Sequence, residues 1–238
     1  MKIIWTISYG VFVVLSLFTI LLEYIPLAVL KLFASQKTLD RYVIRTTSRW
    51  GRTVLKVAGA RMHVSGLENI PDSDRLCFIS NHQSMFDIPV VLGFLPPNIG
   101  FIAKQELRKI PIVHRWMKEL GCILIDRKNP RQARRTIIEG IKQIKNGKPL
   151  CIFPEGTRSR SNQMADFKKG SLKLAIKSEA MIIPLTISGS YKLYEETGHI
   201  KKADVYLTVH PPIDVRQCDK ETLENLAGIV QKQIQSAL

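Results

Sequence analysis

Two stretches of the chain hold side chains capable of acid–base and anion chemistry at short, fixed spacing. In the first, Asn81-His82-Gln83-Ser84-Met85-Phe86-Asp87, a carboxylate stands five residues beyond an imidazole. That separation does not fit one helix face, where neighbours lie three or four apart. It fits a strand-end loop that turns back into a helix N-terminus, with Pro89 early in that helix. A carboxylate beside an imidazole fixes its tautomer and stabilises its protonated form, so His82 oriented by Asp87 is a candidate general base. A plainer reading fits the same residues: Ser84-x-x-Asp87 as a helix capping box, with His82 at the surface. No further His or Cys stands at metal-ligand spacing, and no metal site is expected. The chain has no Gly-x-Ser-x-Gly elbow, which argues against a serine hydrolase.

The second stretch is Phe153-Pro154-Glu155-Gly156-Thr157-Arg158-Ser159. A tight turn with backbone donors, hydroxyls and a guanidinium suits a phosphomonoester. It also reads as an ordinary charged turn. Arg158 and Arg160 bring charge without a Walker-type lysine, so nucleoside triphosphate binding is disfavoured.

These residues need elements to position them. Short apolar runs predict strands at Leu76–Ser80, Ile99–Lys104, Ile123–Asp126, Leu150–Phe153, Ile182–Ile187 and Val205–Val209. Helical patterns fall at 110–120, 130–146, 168–178 and 219–237. Asn129-Pro130 reads as a cap with proline at the first helical position, Gly147 as the stop, and Asp219 as the cap of the last helix. Strands alternating with helices predict an α/β fold, with a largely parallel or mixed sheet flanked by helices. Sites in such sheets lie beyond the carboxyl ends of strands. Four of the predicted strands run directly into the His82 stretch, Lys104-Gln105-Glu106, Asp126-Arg127 and the Glu155 turn. Parallel strands would gather all four on one rim.

At these residues the sequence resembles a known family. Asn81-His82-Gln83-Ser84-Met85-Phe86-Asp87 matches the His-x4-Asp block of glycerolipid acyltransferases, and Phe153–Ser159 matches their second hallmark. Lys104-x-Glu106-Leu107, Gly121-x-Ile123-x-Ile125-x-Arg127 and Ile183-Pro184 fit the remaining blocks in order. Over about residues 62–212 the chain is similar to bacterial 1-acyl-sn-glycerol-3-phosphate acyltransferases. It departs from their pattern at the Phe of the Gly-x-x-Phe-x-x-Arg block, which is Ile or Leu here, a packing change. The resemblance implies acyl transfer to the sn-2 hydroxyl of lysophosphatidate, with His82 and Asp87 catalytic. It implies a glycerol phosphate site made by Glu155, Gly156, Thr157, Arg158 and Ser159, with Arg158, Lys104 and Arg127 meeting the phosphate charge. Glu155 would orient hydroxyls or these cations. Acyl-CoA or acyl-carrier protein is the expected co-substrate, and no metal or tightly bound cofactor is required. Another lyso-lipid acceptor would use the same chemistry.

The rest of the composition agrees. The chain has 238 residues with 45% hydrophobic residues, enough for a sizeable core. Lys and Arg number 35 against 20 Asp and Glu, which points to an anionic partner. Aromatics are only 8%, short of what a nucleic-acid binder interleaves with its cations, so no nucleic acid is expected. Four cysteines are too few for a disulfide scaffold; Cys77, Cys122 and Cys151 lie in apolar runs and read as reduced core residues.

Residues 3–22 carry no charge and are long enough for one bilayer crossing. The apolar character resumes after Glu23 and Pro26, so the alternatives are a single span and a helical hairpin bent near Tyr24–Pro26. Residues 31–61 set eight cations against Asp40 alone, and a basic amphipathic helix is expected over about 36–60, against anionic headgroups. The positive-inside rule then places residues 31–61, and the rest of the chain with them, on the cytoplasmic side, and the resemblance to bacterial enzymes implies a bacterial inner membrane. The expected organisation is a membrane-anchoring segment, 1–61, and a catalytic domain, 62–238.

Overall fold

The structure is a computed structural model that describes residues 2–126, 129–168 and 170–238. Three helices open the chain: α1 (Lys2–Leu22), α2 (Tyr24–Phe33) and α3 (Gln36–Ala58). Strands and helices then alternate: β1 (Ala60–Ser65), β2 (Leu76–Ser80), α4 (Asp87–Phe94), β3 (Gly100–Lys104), α5 (Pro111–Glu119), β4 (Ile123–Ile125), α6 (Pro130–Lys145) and β5 (Leu150–Ile152). The chain closes with α7 (Lys173–Ser178), β6 (Met181–Ser188), β7 (Ala203–Val209), β8 (Ile213–Asp214) and α8 (Lys220–Gln235).

The sheet order is β1-β7-β6-β2-β5-β3-β4, with β8 beside β6. The run β6-β2-β5-β3-β4 is parallel throughout. β7 and β8 pair antiparallel to β6, and β1 runs parallel to β7, so the sheet is mixed. The carboxyl ends of β2, β3, β4 and β5 therefore share one rim, as the strand-end argument requires.

Both faces are covered, which explains why the central strands read as continuous apolar runs. Along β2 the side chains alternate between two cores. Leu76 and Phe78 join Val54, Leu55, Val90 and Val91 of α3 and α4, while Cys77 and Ile79 join Ile144, Leu174, Val230 and Ile234 of α6, α7 and α8. All four cysteines are free, and burial pushes the thiols of Cys77 and Cys151 up, which leaves them inert. The predicted caps form: Asn129 accepts from the backbone of Arg131 and Gln132, and Asp219 from that of Thr222.

One predicted element differs, and one strand is unexpected. α7 is a single short helix rather than one from 168, because Gly170 takes a left-handed conformation (φ +79°) that no helix interior admits. β1 lies hidden behind the expected basic helix. Its inward residues Ala60, Met62 and Val64 alternate with outward Arg61, His63 and Ser65, and its partner lies far along the chain in β7.

The N-terminal helices are built into the body. Gly51 of α3 lies so close to α4 that an added Cβ would stand 2.7 Å from the Pro89 carbonyl oxygen. α1 and α2 are strapped down along their length. Ile200 donates its N–H to Thr6 (2.9 Å), and Tyr9 donates to the Val54 carbonyl (3.4 Å). The Trp50 indole donates to Ser16 (3.1 Å), the Trp116 indole to the Ile20 carbonyl (3.0 Å), and Tyr24 to Glu119 (3.0 Å). The opposite face of the same helices exposes Ile3, Ile7, Val11, Leu15, Phe18 and Leu22.

Candidate active site

His82 and Asp87 meet at the end of β2. The loop after Ser80 turns so that Asp87 opens α4 and reaches back across it. Asp87 is fully buried, and its carboxylate is saturated with donors. Oδ2 accepts from the backbone of Gln83 (2.7 Å) and Ser84 (2.9 Å) and faces His82 Nδ1 at 2.7 Å; Oδ1 accepts from the Ser190 hydroxyl (2.6 Å). An ionised carboxylate only accepts, so the proton of a neutral His82 sits on Nδ1. Nε2 is left with its lone pair, the arrangement of a general base. The bonds to Gln83 and Ser84 are also what a capping carboxylate makes, so one aspartate serves both readings of its spacing.

The imidazole is partly open to solvent and stacks on Phe153, with ring centroids 4.1 Å apart. Phe153 in turn stacks on Phe101, at 6.4 Å. Phe101 lines an apolar cavity of about 180 Å³ whose walls include Ile88, Leu92, Trp116, Met117 and Cys122. An apolar cavity thus begins two rings away from His82.

The second stretch follows β5, the strand next to β2. The two loops are joined through their backbones: Ser159 donates to the His82 carbonyl (2.8 Å) and Arg160 to that of Gln83 (3.1 Å). Gly156 is in the left-handed region (φ +70°), and a Cβ there would stand 2.7 Å from Lys168 Nζ, so the turn needs glycine. Glu155, expected at the substrate, is instead turned inward. Its Oε1 accepts from the His82 N–H (2.6 Å) and its Oε2 from the Ala165 N–H (2.9 Å). Burial raises its pKa above the usual carboxylate range, and the two backbone donors hold that rise back. It braces the His82 loop from behind. Thr157 is exposed, Ser159 and Arg158 are half-buried, and Lys104 stands exposed at the end of β3. Arg127 lies outside the described residues.

Other residues of the site have no counterpart in either motif. The end of β6 and the segment after it hold the His82 loop from the far side. Asn81 exchanges two hydrogen bonds with the Ile187 backbone, both 2.8 Å, and Gln83 accepts from the Gly189 N–H (3.0 Å). Ser190, the donor to Asp87, belongs to this segment, and Glu195 accepts from Ser84 Oγ (2.7 Å) and the Met85 N–H (2.8 Å). A sequence signal exists for Ser190: it follows the carboxyl end of a parallel strand, as the two motifs do. Among the described residues, no group of three His, Cys, Asp or Glu is placed to hold a metal ion.

This constellation has known relatives. The family model described as Acyltransferase matches residues 61–188. The 1-acyl-sn-glycerol-3-phosphate acyltransferase of Borreliella burgdorferi is 33% identical over 76% of this chain and 72% of its own length. A probable enzyme of the same name from Mycoplasma pneumoniae is 35% identical over 72% of this chain and 70% of its own. The crystal structure of the 1-acyl-sn-glycerophosphate acyltransferase PlsC from Thermotoga maritima superposes with a TM-score of 0.88 at 29% identity, covering 99% of this chain and 94% of that one. The imidazole–carboxylate pair, the turn after β5 and the sheet that brings them together thus stand in a chain that belongs to the Acyltransferase family.

Proposed function

We propose that the protein acylates the sn-2 hydroxyl of 1-acyl-sn-glycerol-3-phosphate, giving phosphatidate. The observation that carries this reading is the His82–Asp87 pair, with Nδ1 committed to the carboxylate and Nε2 available, joined by backbone bonds to the Arg158 loop. The relatives are named for that reaction. Nε2 removes the hydroxyl proton as the oxygen attacks the thioester carbonyl. The tetrahedral intermediate collapses with loss of the thiolate, and the imidazolium returns its proton to that sulfur. One C–O bond forms, one C–S bond breaks, and no electron changes hands, so the reaction balances without a metal or redox cofactor. The thioester belongs to acyl-CoA or acyl-carrier protein. General-base assistance supplies roughly 10²–10⁴-fold, and holding both substrates together supplies more.

Phosphate recognition falls to Arg158, Lys104 and Arg127, with Gly156, Thr157 and Ser159 shaping the turn. Arg158 is half-buried beside the His82 loop, which suits an anion whose sn-2 oxygen must reach Nε2. The apolar cavity beyond Phe153 and Phe101 can receive part of a fatty acyl chain.

Membrane placement follows from α1 and α2. Together they are long and apolar enough to cross a bilayer. Yet their inner face is bonded to α3, α5 and the segment before β7 from Thr6 to Lys31, and a crossing would carry that body into the hydrocarbon. We read them as lying along one leaflet with the apolar face down. Arg41, Arg45, Arg49, Arg52 and Lys56 of α3 are exposed and suit anionic headgroups on the cytoplasmic face of a bacterial inner membrane.

The test is Arg158→Ala, assayed with purified protein, lysophosphatidate and one labelled acyl thioester. KM for lysophosphatidate rises at least tenfold, and KM for the thioester stays within about twofold. The opposite pattern would remove Arg158 from the phosphate site.

A further inference from the structure

Glu195 is a buried carboxylate that the mechanism does not use. Its neighbour Glu196 pairs with Lys201 on the surface, as acidic residues ordinarily do. The Glu195 side chain is only 5% exposed, and a carboxylate so enclosed is retained only where its oxygens find donors. They find three, drawn from both halves of the site. Ser84 Oγ and the Met85 N–H belong to the turn that carries Asp87 into α4. The third donor is Arg158 Nη1, in a long contact of 3.5 Å.

The two kinds of contact differ in strength. The bonds to Ser84 and Met85 are short and fix the carboxylate on the His82 loop. The contact with Arg158 is long and uses one of the five N–H donors of the guanidinium. Glu195 thus tethers the guanidinium from one side and leaves its other donors for a second anion. A flexible arginine loses conformational entropy when it grips a phosphate, and a tether that settles this entropy beforehand favours binding.

We propose that Glu195 is a positioning residue for acyl transfer, holding the Arg158 guanidinium beside the His82 loop and aimed at the phosphate of the acceptor. The inference rests on the reading of Arg158 as a phosphate ligand. It adds the end of β6 to the strand ends that build the acceptor site, since Glu195 comes from the segment after β6.

Glu195→Gln separates tether from fold. Glutamine still accepts from the Met85 N–H and can donate to Ser84 Oγ, so the loop keeps its bonds while Arg158 loses its charged partner. Two measurements are made, the first on purified wild type and Glu195→Gln, the second on these two, Arg158→Ala and the double variant. The first is the rate of phenylglyoxal labelling at Arg158, read by peptide mass spectrometry. The second is KM and kcat for lysophosphatidate. In Glu195→Gln the labelling rate rises, KM rises roughly tenfold, and kcat stays within about twofold. On the Arg158→Ala background Glu195→Gln raises KM no further, as expected of residues acting through one another. Unchanged labelling and KM in Glu195→Gln, or an undiminished effect in the double variant, would overturn the inference. Faster labelling combined with a normal KM in Arg158→Ala would instead sink the phosphate role of Arg158 and leave the tether standing. Glu195→Asp keeps the charge one methylene further from Arg158 and gives a smaller KM rise than Glu195→Gln; equal losses in the two would mark simple packing and overturn the inference.

Discussion

Replacing Asp87 with asparagine tests the catalytic pair without dismantling the loop. The native carboxylate takes donors from Gln83, Ser84 and His82 on one oxygen and from Ser190 on the other. An asparagine can keep its oxygen toward the first three donors and turn its amide toward Ser190, whose hydroxyl then accepts. The fold and the His82 tautomer survive, and what disappears is the negative charge that stabilises the imidazolium as the acceptor proton arrives. Because Asp87 is fully buried, solvent screens that charge little, and kcat falls by about 10²–10³, roughly 3–4 kcal/mol of barrier, with KM values near those of wild type. The assay is thiol release from an acyl thioester with lysophosphatidate as acceptor, with circular dichroism and melting as controls on the fold. His82→Ala sets the floor of activity. Turnover within threefold of wild type in a folded Asp87→Asn protein would refute the pairing as the source of catalysis. Asp87→Ala is the poorer probe, because it strands three buried donors at about 1–3 kcal/mol each as well as the His82 ring N–H.

Three further outcomes are expected. Ser190→Ala removes the hydroxyl on Asp87 Oδ1; melting temperature falls and kcat drops about tenfold at constant KM, while unchanged kinetics would detach Ser190 from the site. Gly51→Ala presses a methyl group on the Pro89 carbonyl and pushes α4 off α3, for about 1–3 kcal/mol of stability by chemical denaturation, and a neutral result would contradict the close approach. Lysines in place of Val11, Leu15 and Phe18, which are 53–58% exposed, abolish co-sedimentation with phosphatidylglycerol vesicles while the melting temperature holds; persistent binding would refute the proposed membrane face.

Much of this site is legible in the sequence because its chemistry is local. His82 and Asp87 lie in one loop, Glu155 to Ser159 in another, and the parallel-sheet rule puts both on one rim. What stays illegible is contact between distant segments. Ser190 and Glu195 belong to no motif, and their roles exist only because β6 lies beside β2. The inward turn of Glu155 is hidden for the same reason, since its partners are backbone groups of His82 and Ala165 rather than side chains with a pattern. In the fold, β1 escapes notice because it follows a helix with almost no break and mixes charge into its alternation. α7 is misjudged because helical periodicity does not register the left-handed turn at Gly170. The N-terminal helices read as a hydrophobic stretch. Their polar seam of Thr6, Ser16 and Tyr24 becomes meaningful only once the indoles and carboxylates it meets are known.

That seam has a geometric consequence. On the proposed membrane placement, a catalytic body riveted to its amphipathic helices, rather than hung from a linker, presents its imidazole at one constant height above the lipid plane. A lysolipid must climb that distance to react, and each methylene drawn out of the bilayer costs about 0.8 kcal/mol unless an apolar wall receives it. Depth of docking is then a kinetic variable of its own: a helix face set deeper or shallower in the leaflet shifts turnover for every acceptor without any atom of the catalytic loop changing place.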